Sequence, residues 1–249
     1  MPGTYANCPK CNHKLPESLP ISEPCPACGI YMFKWGQAPH ASVLSNTDDE
    51  YFSEEKGSRL TSLFQPLEEI GTSDFYGRCF ALLLLSWWSF YLVGYDYRDG
   101  EINGSFMHGI LLTIHEAGHV LCRPFGEFVF ILGGSLFQFA LPFGIGVAFV
   151  VVNRDNFGAA IGMWWASVSL LDLSPYIYDA LHPQLIMLGG HTGEDGPHDW
   201  IYLLGTLGQI RNSQQWGAFV HGIGSVFVVA ALVWAAVVIW RQRGYVESD

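Results

Sequence analysis

The chain has 249 residues, of which 50% are hydrophobic and only 14% are charged, and its formal net charge is −11. An ordinary soluble domain has roughly 25% charged residues, and here long uncharged runs follow the first hundred positions. The acidic balance argues against a nucleic-acid-binding protein, which needs a basic face. No apolar segment precedes Arg78, so we expect no cleavable signal peptide of the usual form and membrane insertion driven by internal helices.

Residues 1–36 contain two Cys-x2-Cys pairs separated by thirteen residues: Cys8, Cys11, Cys25 and Cys28. Four thiolates at this spacing can close a tetrahedral zinc site, and so short a segment has little core without one. Gly29 follows the last cysteine, where the turn often needs a positive φ. Two disulfides or a redox pair are the alternative, which the expected lack of a secretory signal disfavours. The segment resembles a zinc ribbon, a rubredoxin-like module that is usually structural or binds a protein partner.

A polar linker, residues 37–75, precedes a predicted transmembrane domain, residues 76–249. Five apolar runs follow: Cys79–Tyr95, Phe106–Cys122, Glu127–Val152, Phe157–Leu181 and Gly217–Trp240. Each is near the roughly 20 residues that span a hydrocarbon core, and several carry aromatic residues at their ends. The loop Pro183–Gln215 is rich in Gly and His and includes a predicted short helix at Asp199–Leu204. The sequence therefore predicts an all-α polytopic membrane protein of about five transmembrane helices, with a small N-terminal zinc-ribbon domain.

Basic residues give a partial prediction of orientation. Lys56, Arg59 and Arg78 precede the first run, whereas the loop after it is acidic. This distribution favours a cytosolic N-terminus, which also suits a thiolate zinc ribbon. Five crossings would leave Arg241 and Arg243 on the opposite side, contrary to the positive-inside rule, unless the loop segment adds a re-entrant or sixth crossing.

The second apolar run carries the pattern His115-Glu116-x-x-His119. On a helix the two histidines lie one turn apart on the same face, so both imidazoles can reach one metal ion. Glu116 falls beside them, where its carboxylate could take a proton from a metal-bound water. Ionisable groups are costly to bury in a membrane span, which favours a functional interpretation over a polar interhelical hydrogen-bond cluster.

A catalytic zinc site needs a third protein ligand. The second and fourth runs are expected to point in the same direction, and both end at a proline. Asp179 lies four residues before its proline and His119 five before its own, so their matching depth favours Asp179. Asp179 could instead cap its helix or bind the loop. The other candidates are Asp172, two turns deeper on the same face, and then His191, His198 and Asp199.

Other histidines have simpler interpretations. His198 and Asp199 follow a flexible Gly-rich stretch and could orient a ligand or fold over the site. Alternatively, the loop is solvated and Asp199 caps the helix that starts near Trp200. His108 and His221 lie in apolar runs, where we expect them to form interhelical hydrogen bonds.

Roughly residues 105–182 resemble the site-2 protease family of intramembrane zinc metalloproteases. That family has His-Glu-x-x-His on one span, a Gly-Pro-x-x-Asn-like turn on the next, and Asn-x-x-Pro…Leu-Asp-Gly on the third. The matching segments here are His115–His119, Gly133–Gln138 and Asp172–Ala180. The departures are Ser135 for Pro, Gln138 for Asn, Asp172 for Asn and Ala180 for Gly. They affect substrate-holding positions more than metal ligands, as in a divergent branch.

The resemblance implies a three-helix metalloprotease core and a zinc metalloendopeptidase that cleaves membrane-embedded protein substrates. It implies one catalytic zinc in addition to the structural zinc of the ribbon. The zinc would activate a water for attack on the peptide bond. The roles implied are zinc ligation by His115, His119 and Asp179, general-base catalysis by Glu116, and substrate binding by Asp172 and Gln138.

Two other functions use the same residues. In a non-catalytic membrane protein, the ribbon would be an adaptor and the second metal site would be structural or serve assembly. In a membrane metal transporter, the histidines and aspartates would bind a metal ion transiently. A cleavage assay with Glu116→Gln separates the protease from both.

Overall fold

A computed structural model describes residues 7–8, 10–15, 24–29, 63–64 and 70–247 of the chain. The chain divides into two units, Met1–Lys56 and Gly57–Asp249. Most of the predicted polar linker, residues 37–75, lies outside the described residues, and its last six residues, 70–75, form a short strand and the start of the first helix.

The described part of the first unit is organised around its cysteines. An antiparallel bridge joins Asn7 to Lys14. The buried cluster consists of Cys8, Leu15 and Cys25. So small a cluster buries too little apolar surface to stabilise a fold by itself, which is why short segments of this kind depend on metals or disulfides.

The second unit is mainly helical. Its helices are α1 (Thr72–Gly94), α2 (Phe106–Cys122), α3 (Glu127–Ala148), α4 (Asn156–Asp179), α5 (Asp199–Thr206) and α6 (Ser213–Gln242). Two-residue strands, β1 (Ile70–Gly71) and β2 (Val246–Glu247), pair in parallel. The connections include the 3-10 turns Glu101–Gly104, Arg123–Phe125 and Ile210–Asn212, and the π-helical turn Phe149–Asn153.

Each of the five predicted apolar runs forms a helix, and the predicted short helix is confirmed as α5. The bounds differ most where a helix continues through polar residues. For example, α1 begins at Thr72 and includes Asp74 and Arg78 before the apolar run. Hydropathy identifies only the apolar part of such a helix, whereas backbone hydrogen bonding continues beyond it.

Four helices are long and apolar enough to cross a membrane, judged by length and composition: α1, α3 with its π-helical turn, α4, and α6 with the preceding 3-10 turn. The sequence predicted about five. The difference is α2, which has 17 residues and is therefore about 25 Å long, less than the roughly 30 Å of a hydrocarbon core. The described part of the helical unit is thus a mainly α-helical bundle with four candidate spans.

Helix α4 lies at the centre of this bundle. In its apolar window 72% of residues are buried, against 11% for α1. Small residues let the neighbouring backbones approach α4 closely. A Cβ at Gly162 would lie 2.5 Å from Gly146 Cα of α3, and one at Gly217 of α6 would lie 2.8 Å from the Ser174 carbonyl oxygen. Close glycine contacts of this kind are characteristic of membrane helix packing.

The motif-bearing helix α2 packs against α3 through a pair of glycines. A Cβ added at Gly118 would overlap the carbonyl oxygen of Gly133. At the start of α2, the Ser105 hydroxyl accepts a hydrogen bond from the His108 amide at 3.2 Å and caps the helix. The close crossing brings the side chains of α3 within reach of His115 and His119.

Helix α4 passes through Pro175 without ending. Proline lacks the amide that would bond to the carbonyl of Leu171. The Ser174 hydroxyl donates to that carbonyl at 2.7 Å instead, so the acceptor is satisfied. The helix therefore continues to Asp179, and in its last turn the Tyr176 ring lies 6.1 Å from that of His115 on α2 between centroids.

Candidate functional site

The four cysteines of the first unit form one cluster, as the sequence predicted. Their sulfur atoms all lie within 4.8 Å of one another, with Cys8 Sγ 3.7 Å from Cys28 Sγ and Cys11 Sγ 3.8 Å from Cys25 Sγ. These separations are far from the roughly 2.05 Å of a disulfide bond, and all four thiols are free. The cluster can hold a metal ion.

The two Cys-x2-Cys turns have equivalent geometry. The Asn12 amide donates to the Cys8 carbonyl at 2.9 Å, and the Gly29 amide donates to the Cys25 carbonyl at 2.8 Å. Gly29 has φ +70°, which confirms the positive φ predicted for it, and Asn12 has φ +58° at the equivalent position. Glycine and asparagine both tolerate this left-handed conformation.

Hydrogen bonding favours the thiolate at Cys8. Burial raises the pKa of this thiol, but hydrogen bonds from the backbone amides of Cys11 and Lys10 help to lower the pKa to about 6. The thiolate is the form that binds metal. At Cys11 a backbone hydrogen bond from His13 lowers the pKa, but burial and the neighbouring thiols raise it by more, so Cys8 is favoured as the thiolate over Cys11.

A second cluster lies in the helical unit and joins α2 to α5. Asp199 Oδ2 lies 2.9 Å from His115 Nε2 and 3.2 Å from His119 Nε2. The ligand atoms of the three residues lie within 4.8 Å of one another, and His115 is buried. The one-turn spacing of the histidines on α2 and the position of Asp199 in the first turn of α5 produce this convergence.

Each histidine is fixed through its other ring nitrogen. Gln138 Nε2 donates to Asp172 Oδ2 at 2.8 Å, so its Oε1 faces His115 Nδ1 at 2.9 Å as an acceptor. His119 Nδ1 lies 2.9 Å from the carbonyl oxygen of Phe130. Both Nδ1 atoms therefore carry hydrogen, as metal-ligating histidines usually do when a carbonyl orients them.

The resulting donor set fits a divalent metal ion. A neutral imidazole with hydrogen on Nδ1 presents a lone pair at Nε2. With both imidazoles in this form, two lone pairs and the Asp199 carboxylate face one another and could hold one metal ion. Two imidazoles and one carboxylate are a ligand set that catalytic zinc sites use.

Gly134 of α3 provides space at this cluster. A Cβ at this position would lie against Nε2 of both His115 and His119. The residue opposite the two histidines therefore has to be a glycine if the histidines are to share a metal ion.

Asp179, which the sequence favoured as the third ligand, has another place in the structure. Its Oδ1 accepts hydrogen bonds from the amides of Gln184 at 2.7 Å and Leu185 at 3.2 Å, and its Oδ2 lies 3.5 Å from His198 Nε2. Asp179 thus binds the loop, which was the alternative role predicted for it. The structure places Asp199 at the histidines instead, because the loop after α4 folds back over the end of α2.

Asp172 and Gln138, the predicted substrate-binding residues, belong to a polar chain behind His115. Asp172 Oδ1 lies 2.9 Å from His108 Nδ1, while its Oδ2 accepts from Gln138. Both carboxylate oxygens and both amide atoms thus have partners within the protein. We interpret the pair as residues that position His115, whereas the sequence predicted that they hold the substrate. The interhelical hydrogen bond expected of His108 is confirmed.

His198 caps α5, a role that one interpretation of the sequence gave to Asp199. The Ile201 amide donates to His198 Nδ1 at 3.3 Å, and the His198 side chain is fully buried. His198 is thus buried, whereas loop residues such as Glu194 and Asp195 are exposed, and Asp199 lies in the first turn of α5 instead of at its N-cap. His191, another candidate ligand, lies outside the ligand cluster, in the wall of a cavity beside it that is described below. His221 stacks on Tyr97, with ring centroids 4.6 Å apart.

Tyr176 is a residue that the sequence analysis did not single out. Its hydroxyl accepts a hydrogen bond from the Asp199 amide at 2.8 Å, and its ring lies 4.3 Å from that of His198 between centroids. Its position one turn before Asp179 is the sequence signal that could have identified it, because residues i and i+3 share a helix face.

A cavity of about 400 Å³ opens beside the second cluster. Its wall includes the cluster itself together with Glu116, Tyr176 and the loop residues Leu185–Leu188. Glu116 is exposed and lies in this wall, so its carboxylate can contact a molecule or a water in the cavity. A peptide segment in this cavity would therefore contact the cluster and Glu116 together.

No family model, no characterised protein and no solved structure matches the chain.

Proposed function

We propose that the protein is an intramembrane zinc metalloprotease that hydrolyses peptide bonds of membrane-embedded proteins. The observation that carries the proposal is the convergence of His115, His119 and Asp199 beside Glu116 at one cavity. A zinc site with three protein ligands keeps its fourth position for water or substrate. The four candidate membrane spans of the same unit indicate the class of substrate.

Zinc held by these three residues would supply Lewis-acid activation of a water and of the scissile carbonyl. Glu116 is the group that accepts the proton of the attacking water and passes it to the leaving amine. Tyr176, whose hydroxyl accepts a hydrogen bond from the Asp199 amide, also lies in the cavity wall and helps to position Asp199. Gln138 and Phe130 keep the two imidazoles in the tautomer that the site requires.

The proposed enzyme resembles the site-2 protease family in its His-Glu-x-x-His helix and departs from it in the third ligand. By resemblance the ligand is Asp179 at the end of α4, whereas the geometry favours Asp199 at the start of α5. A ligand on a separate short helix makes the site depend on how the loop after α4 folds.

We also propose that the Cys8, Cys11, Cys25 and Cys28 cluster holds a structural zinc ion. Four thiolates leave no open coordination position. A module of this kind stabilises its own segment and can present a surface to a protein partner.

One observation favours the non-catalytic alternative. Gln138 and Asp172 are both engaged within the protein, so the groups expected to hold a substrate backbone are occupied. A membrane adaptor or assembly protein with a structural metal site would have this arrangement.

A cleavage assay with single-span proteins co-expressed in the same membrane separates the two functions. The proposal predicts cleavage by the wild-type chain and loss of cleavage with Glu116→Gln, with the metal content of the second site unchanged because Glu116 is outside the ligand cluster. Glu194→Gln, a change at an exposed loop glutamate, is the matched control and should cleave as the wild type does. Equal cleavage by Glu116→Gln would refute the protease and leave the structural metal site.

A further inference from the structure

The two ends of the helical unit lie together at one end of the bundle. Strand β1, which leads into α1, pairs with β2, which follows α6. Near the same level, Arg78 at the start of α1 forms a 3.2 Å ion pair with Asp155, immediately before α4. We call this the terminal end of the bundle, defined by β1, β2 and Asp155.

The candidate metal site lies at the opposite end. Helix α4 runs from Asp155 at the terminal end to Asp179, which binds the loop that carries Asp199. Helix α3 runs the other way, since it ends in the turn that leads to Asp155. Its first residue, Glu127, therefore lies at the opposite end with the loop after α4. We call this the site end, defined by Glu127, Asp179 and Asp199.

The chain reaches the site end both before and after α2. Before α2, Tyr97 contacts Tyr178 with ring centroids 5.6 Å apart, and a Cβ on Gly100 would lie 2.5 Å from Leu185 Cδ2 in the loop after α4. The first residue of α2, Phe106, lies deeper in the bundle, against Trp88, whose ring packs on that of Trp164. The segment after α2 leads through three residues of 3-10 turn into Glu127.

From this geometry we infer that the chain crosses the membrane four times and that α2 enters and leaves the bilayer on the same side. The candidate metal site then opens to the membrane face opposite the one that carries β1 and β2. The inference stands whether or not the site hydrolyses peptides, since it rests on the directions of α1, α3, α4 and α6. Water then reaches Glu116 from that face of the membrane.

The four-crossing arrangement agrees with the chemistry of α2. A helix with two histidines and a glutamate is costly in hydrocarbon unless those groups face protein or a water-filled cavity. On α2, His115 faces Gln138 and Asp199, and Glu116 faces the cavity. The arrangement also removes the difficulty with the positive-inside rule, because Arg241 and Arg243 come to lie on the same side as Arg78.

Cysteine labelling tests the inference. Four single substitutions are placed in the full chain: Asp99→Cys and Glu127→Cys on either side of α2, Arg154→Cys in the turn before α4, and Gly244→Cys before β2. The four residues that are replaced are all exposed in the wild-type chain. A Cβ at Gly244 meets no atom within 4 Å. A membrane-impermeant maleimide is applied to intact and to permeabilised cells, and labelling is read for each peptide by mass spectrometry, which separates the new cysteines from the native ones.

The inference predicts that the cysteines at residues 99 and 127 are labelled alike, because they lie on one side of the membrane. Those at residues 154 and 244 are also labelled alike, on the other side. One pair reacts fully in intact cells, and the other stays unlabelled until the cells are permeabilised. Opposite behaviour of residues 99 and 127 would show that α2 crosses the bilayer. Identical behaviour of all four positions would show that the bundle does not cross it, and either result overturns the inference. Glu194→Cys, in the exposed loop at the site end, replaces any variant on that side that fails to accumulate.

Discussion

At the scale of single residues, the candidate site combines two histidines that are close in sequence, His115 and His119, with an aspartate that is distant in sequence, Asp199. The facing of His115 and His119 follows from their spacing on a helix, so the sequence alone was sufficient to predict it. The partner that completes the set, Asp199, reaches them only because the loop after α4 folds back. The sequence favoured Asp179 because it lies at nearly the same distance from a helix-ending proline as His119. That comparison could not predict how the loop after α4 folds back. The hydrogen bonds from Gln138 and Phe130 were likewise beyond sequence patterns, because they depend on how closely α2 and α3 cross.

Gly134→Ala tests whether the space between the histidines is needed for the metal. The added Cβ would lie against Nε2 of both His115 and His119, so we expect loss of the metal of the second site with the cysteine site retained. Metal content per chain, measured by mass spectrometry of the purified protein, checks this result.

Gly144→Ala is the matched control for that substitution. It adds the same methyl group on the same helix at a position with no atom within 4 Å. Its metal content should equal that of the wild type. If Gly134→Ala also keeps full metal content, the ligand set lies elsewhere.

At the scale of elements, hydropathy predicted the helices but counted α2 as a fifth membrane span, whereas the structure has four candidate spans. Each apolar run forms a helix because an apolar segment in a membrane has to satisfy its backbone hydrogen bonds within itself, and an α-helix does so. The length of α2 and the positions of its flanks decide whether it crosses a membrane, and these depend on its packing against α3 and α4. Glycines set that packing, since Gly118 and Gly133 bring the backbones of α2 and α3 together.

Gly118→Ala tests this close approach. The new Cβ would overlap the Gly133 carbonyl oxygen, and overpacking of this kind costs about 1–3 kcal/mol. We expect a lower midpoint of thermal unfolding in detergent and weaker metal binding by the histidines of α2. Gly109→Ala on the same helix, where a Cβ meets no atom within 4 Å, should leave both unchanged. Equal stability of the two variants would contradict the packing role of Gly118.

At the scale of the whole molecule, the protein has two units with different sources of stability. In the described residues every helix belongs to Gly57–Asp249, whereas the cysteine cluster belongs to Met1–Lys56. The helical unit buries several apolar clusters, and the first unit depends on its cysteines. From the cysteine spacing the sequence predicted a zinc ribbon at residues 1–36, because four thiolates at one site imply a segment that folds around a metal; the cysteine cluster lies within the first unit.

Cys25→Ser tests the independence of the two units. We expect loss of the cysteine-site metal and faster proteolysis within residues 7–29. The far-UV circular dichroism of the helices and the metal of the second site should remain unchanged. A large loss of helix signal in this variant would contradict independent units.

The most direct test of the proposed metal centre is the zinc content of the full-length protein after equilibration with a competing chelator. The described residues offer two candidate clusters, so the wild type should retain two zinc ions. Asp199→Asn should retain only the cysteine-site ion, whereas Asp179→Asn should retain both, because Asp179 binds the loop amides and lies outside the ligand cluster. Loss of the second zinc in Asp179→Asn, with retention in Asp199→Asn, would contradict the site built from His115, His119 and Asp199.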